Sequence, residues 1–173
     1  MEKIYYKVTH DGYEVIHVFT EDLDISELIF ELTKFVSDPG YFVIEVEKTL
    51  RGKHHGEYFL NGLSQSYFLL LFEMYKDLLM NERGMIFGFC AHEGIHQVIV
   101  NAQKRIEIFT ECAGPYLDLL HKCGFSLSEK NTYEQLQSTS SGNQSTIYFP
   151  NETVDEMIDA LHMYGMYLNN QVV

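Results

Sequence analysis

The chain has 173 residues, 46% of them hydrophobic, which suits one domain of residues 1–173 that buries a core without staples. Its 25 acidic against 12 basic residues give a formal charge of -13. That field repels phosphate backbones and anionic lipid, so nucleic acid and membrane are excluded as direct partners and a basic protein partner is favoured.

The amino terminus, MEKIYYKV, lacks the basic-then-apolar run of a secretory signal. IYYKV and YEVIHVF then alternate like strands around His10-Asp11-Gly12, where Asp-Gly supplies a tight hairpin turn. A helix follows, capped by Asp24 with Glu27 three residues on. Ile25, Leu28, Ile29, Leu32, Phe35 and Val36 recur at helical spacing until Asp38-Pro39-Gly40 ends it.

Residues 41–48 read as the next strand, the polar tip RGKHHG turns it, and EYFL returns before a helix over about residues 64–80. This helix carries YFLLLF, apolar almost all round, so it is expected to be the most deeply buried. The same run is too short to span a bilayer. A third unit has strands at 85–91, 95–101 and 105–110, then a helix that opens at Gly114-Pro115 and closes at Cys123-Gly124. The last unit pairs two weaker strands, TYEQLQ and STIYF, across the polar loop at about 137–146. Its closing helix starts on Thr153 and Glu156, which match a capping box.

The expected fold is therefore α+β: a predominantly antiparallel sheet of about eight to nine strands carrying four helices, with ββα units at 1–38, 39–84, 85–124 and 125–173. Cys90, Cys112 and Cys123 form no CxxC pair, which places the protein in a reducing compartment, the cytoplasm, with Cys90 and Cys123 in the core.

One stretch spells chemistry. FCAHEGIHQVIV, residues 89–100, contains His-Glu-x-x-His, which on a helix presents two imidazoles to zinc and a carboxylate to its water. NETVD at 151–155 resembles the Asn-Glu-x-x-Asp pattern of gluzincin metallopeptidases. The resemblance covers ten residues and implies His92, His96 and Glu152 as zinc ligands and Glu93 as general base. Gly88, Gly94 and the β-branched Val98-Ile99-Val100 resist a helix, however. A hairpin that pairs Ala91 with Ile95 across a three-residue loop, with Gly94 left-handed, accommodates more of the residues.

A second candidate is the basic cluster Arg51, Lys53, His54 and His55, placed to bind an anion or a metal. Against chelation, adjacent strand residues point to opposite faces. A third is a surface on the first two strands bearing Tyr5, Lys7, Glu14, Ile16 and Val18, a binding platform or homodimer contact or else a second core.

The expectation is thus a cytoplasmic, acidic, non-catalytic interaction protein for a basic protein partner, of the immunity-protein, antitoxin or adaptor type, with no resident cofactor. The alternative is a small zinc-dependent hydrolase built on His92, Glu93, His96 and Glu152.

Overall fold

Three hairpins turn with a glycine at positive φ, Gly12, Gly52 and Gly94, and a fourth with Lys104 at φ 59, and the strands on either side share one sheet. The computed structural model describes residues 2–21, 25–48, 52–130, 132, 134–135 and 153–169. In chain order the elements are β1 (Lys3–His10), β2 (Tyr13–Thr20), α1 (Ser26–Thr33), β3 (Gly40–Val46), β4 (Gly56–Leu63), α2 (Gln65–Asn81), β5 (Met85–Ala91), β6 (His96–Val100), β7 (Ile106–Thr110), α3 (Gly114–Lys122), β8 (Ser126–Leu127), α4 (Val154–His162) and β9 (Tyr167–Leu168). The nine strands form one sheet in the order β8-β1-β2-β7-β6-β5-β3-β4-β9. All pairings are antiparallel except β1 with β8. The class is α+β, a mixed and mostly antiparallel sheet with helices. No helix among the described residues is long and apolar enough to cross a membrane.

Register divides the side chains into two sets, because successive strand residues point to opposite faces. One row across the sheet reads Tyr5, Val18, Ile106, Val100, Phe87, Ile44, Tyr58, Leu168. All of these but the edge residue Leu168 are buried in the main core, which the buried residues of all four helices complete. Helices α1–α4 therefore lie on this face. Tyr5, Ile16 and Val18 belong to this core and form no mixed surface; of the five residues, Lys7 and Glu14, paired as ions near the hairpin tip, reach solvent.

Helix α2 is capped by Ser64, whose hydroxyl accepts from the Tyr67 N–H at 3.2 Å. It seats Phe68, Leu71, Phe72, Tyr75, Leu78 and Leu79 in the core, and Phe68 stacks on Phe89 with ring centroids 4.7 Å apart. Each fully buried aromatic or aliphatic side chain of this kind stabilises the fold by about 1.5–3 kcal/mol. The helix is nevertheless two-sided: Tyr67, Leu70 and Met74 stay exposed. Helix α4 carries the full capping box expected of Thr153 and Glu156, with Glu156 N–H donating to the Thr153 hydroxyl and Thr153 N–H to the Glu156 carboxylate.

Other expectations need correcting or fall elsewhere. The N-cap of α1 is Ile25, without a side-chain bond, and Asp24 lies outside the described residues. The described part of TYEQLQ is helical, and STIYF and the 137–146 loop lie outside the described residues. Cys90 is buried as expected, but Cys123 is exposed at the end of α3, as is Cys112.

Candidate functional site

The His-Glu-x-x-His stretch is strand, loop and strand. Cys90 faces Gln97, so the loop holds four residues, 92–95, one more than the expected pairing of Ala91 with Ile95 allows. Gly94 sits at φ 72, a backbone region that costs a side-chain-bearing residue strain. Glu111 ties the loop down: its carboxylate accepts from Ile95 N–H at 3.1 Å, and its own N–H donates to the Ile95 carbonyl.

The two imidazoles go separate ways. His92 Nε2 accepts from Gly62 N–H at 3.3 Å, and the ring lies 5.5 Å from that of Tyr41. His96 Nδ1 meets the Thr110 hydroxyl at 3.2 Å across the β6–β7 pair. Glu93 is exposed at the tip. The helix that would stack these rings one turn apart is not formed, and Glu152 lies outside the described residues.

The second cluster is brought together instead. Helix α4 is amphipathic: Val154, Met157, Ile158 and Leu161 enter the core, which turns Asp155, Asp159 and His162 onto one other face at i, i+4 and i+7. That face meets the β3–β4 tip. The Asp155 carboxylate accepts from Lys53 N–H at 3.0 Å and from His54 N–H at 3.1 Å. Gly52, at φ 146, makes this approach possible, since a Cβ there would lie 2.8 Å from Asp155 Oδ1.

With the tip clamped, His54 Nε2 lies 2.8 Å from Asp159 Oδ1, and Lys53 Nζ donates to Asp159 Oδ2 at 2.7 Å. The His54 and His162 rings meet edge to face at 5.4 Å. Among the described residues, His54, Asp159 and His162 are the one group of three His, Cys, Asp or Glu that could hold a metal ion, with ligand atoms within 4.8 Å of one another.

The electrostatics follow from these bonds. The Lys53 ammonium, then the His54 ring, holds the Asp159 carboxyl below the usual carboxylate range, and the Lys53 N–H does the same for Asp155. Tyr58, behind His54, has its hydroxyl pushed up by burial. His54 and His55 precede β4 and stand on no strand, and their side chains diverge: His55 turns its two nitrogens to the Glu47 and Gly52 carbonyls. The further ligands come from a helix about a hundred residues later. Asp-x-x-His at 159–162, on the polar side of an amphipathic helix, was the available signal. Arg51 lies outside the described residues.

A different surface lies on the sheet's other face. Its central row reads Tyr6, His17, Glu107, Ile99, Gly88, Val43, Phe59, Tyr167. A parallel row holds Val15, Phe109, Gln97, Cys90, Tyr41 and Asn61. Tyr41, Phe59 and Tyr167 form a chain of ring contacts at 5.5 and 6.1 Å, and Asn61 Nδ2 donates to Tyr167 Oη at 2.7 Å. Burial pushes the Tyr41 hydroxyl up to about 12 and the Cys90 thiol likewise to about 12, so this thiol is no nucleophile. Glu107, Glu45 and Glu57 set carboxylates among these rings. Near Tyr6 and His17 the charges of Glu134 and Lys130 are felt, so the helical residues Lys130 and Glu134 flank the β1–β2 end. The aromatics are half-buried or exposed, and none of α1–α4 covers them.

Comparison with protein-family models, with curated proteins and with solved structures gave no match.

Proposed function

We propose that the protein is a cytoplasmic, non-catalytic interaction protein that binds a basic protein partner on the sheet face opposite helices α1–α4, in the manner of immunity proteins, antitoxins or adaptors. The observation that carries this is the composition of that face. Tyr6, Tyr41, Phe59, Phe109 and Tyr167 share this face with Glu45, Glu57 and Glu107, and helices α1–α4 lie on the opposite side. Aromatic side chains give large contact area with little ordering cost, and a chain of charge -13 speeds encounter with a cationic surface.

Native mass spectrometry of complexes recovered from the source cell tests this reading. The expected result is a basic polypeptide bound to the wild type, with affinity reduced at least tenfold when Glu45 and Glu107 are both replaced by Lys. A partner that is acidic, or one lost on Leu70→Lys with Met74→Lys in α2 but retained by the sheet variant, would refute it. So would a homodimer as the sole complex.

A further inference from the structure

The geometry points to a divalent-cation site of the zinc class at His54, Asp159 and His162, a site that joins the β3–β4 tip to α4 and is separate from the partner-binding face. Two imidazoles and one carboxylate are the donors that borderline ions such as Zn²⁺ take, with water in the remaining position.

The site is built as metal sites are. A ligating histidine is usually held by a hydrogen bond from its other nitrogen. Here the Tyr58 hydroxyl lies 3.2 Å from His54 Nδ1 and holds the ring in place. Its Nε2 is hydrogen-bonded to Asp159 Oδ1 across 2.8 Å. A metal ion would take the place of the proton this pair shares, with His162 as third ligand. Lys53 occupies only the far oxygen, Oδ2, which leaves Oδ1 to the ion.

The remaining adjustment is small. Ligand atoms around a tetrahedral zinc lie roughly 3.3 Å apart, given bonds of about 2 Å, and here they span up to 4.8 Å. His162 is exposed and its ring already lies edge to face with that of His54, so a small rotation brings its nitrogen inward. Local charge favours the ion too, since Asp155 and Asp159 outnumber Lys53. His54 and α4 are already fixed to each other through Asp155, so binding orders little beyond the His162 ring.

The test is titration of chelator-treated protein with ZnCl₂ near pH 7.5, by calorimetry. One ion per chain is expected, at micromolar affinity or tighter, weakened at least tenfold by His162→Ala and by His54→Ala. The double variant His92→Ala with His96→Ala should bind within twofold of wild type. Because His162 is exposed, its variant keeps the metal-free melting temperature, and Zn²⁺ should raise that temperature in the wild type alone. Co²⁺ should give visible absorption in the wild type that His162→Ala loses. No binding, binding indifferent to His162→Ala, or binding lost with His92 and His96 would each overturn the assignment.

Discussion

Two hairpin tips in this chain carry paired histidines, and they end up in opposite circumstances. The 92–95 tip spells a zinc motif, but its histidines bond separately to Gly62 and Thr110. The 52–55 tip spells nothing, but it meets a helix that completes a three-ligand cluster. Spacing along a chain places side chains together only if the backbone takes the conformation that the spacing presupposes. At the first tip Gly94 and the Val98-Ile99-Val100 run keep the chain extended; at the second the partner arrives through tertiary packing.

The largest way to break the contrast is to unseat α4. Leu161 is fully buried, so Leu161→Ala should cost about 2–5 kcal/mol in urea unfolding. Amide resonances of Lys53 and His54 should shift strongly while those of His92 and Gly94 stay put. Equal shifts at both tips would show that they are coupled after all.

The two glycines sharpen the comparison. Gly52→Ala combines a disfavoured φ with a Cβ 2.8 Å from Asp155 Oδ1, and should destabilise by about 2 kcal/mol. Gly94→Ala has strain without a hard clash, its nearest new contact being His96 Cδ2 at 3.4 Å, and should cost about 1 kcal/mol. Denaturation midpoints that rank them in reverse would contradict the clamp at the second tip.

A smaller effect concerns pH. Asp155 has its carboxyl held below the ordinary 3.8 by the Lys53 N–H, so its stabilisation is complete above that value and fades as acid takes the pH through the lower folded one. Asp155→Asn should lose about 0.5–1 kcal/mol at neutral pH, a modest figure because solvent screens the site, and should match the wild type near pH 2. A constant difference across the range would assign the loss to packing. Smallest of all, His92→Ala and His96→Ala should each change stability by no more than about 0.5 kcal/mol in the same melts, since both rings make only partly exposed bonds.

Local patterns carried much of the fold. The Asp11-Gly12 turn, the Ser64 cap, Pro115 in the first turn of α3 and the Thr153–Glu156 box all lie where their chemistry requires. What local pattern does not hold is long-range choice. Alternation in β1 and β2 separates Tyr5, Ile16 and Val18 from Tyr6, Val15 and His17, but the position of the helices decides which set is core. The two-residue strands β8 and β9 exist only because β1 and β4 offer them a register. The run over 132–135 has strand-like composition but folds as helix in its described residues. The candidate metal cluster was half legible: His54 stood out in a basic tip, whereas Asp159 and His162 became visible only when the apolar side of α4 fixed where its polar side points.

Strand order carries a consequence for synthesis. The seven long strands lie between Lys3 and Thr110, but the short ones at the two rims are Ser126–Leu127 and Tyr167–Leu168. While the chain is being made, β1 and β4 therefore present unpaired backbone amides and carbonyls to any passing strand until their late neighbours emerge. The late segments each shield two residues of a border strand, first Ile4 and Tyr5, then Tyr58 and Phe59, and a chain stopped after Thr110 would leave those positions open at both rims.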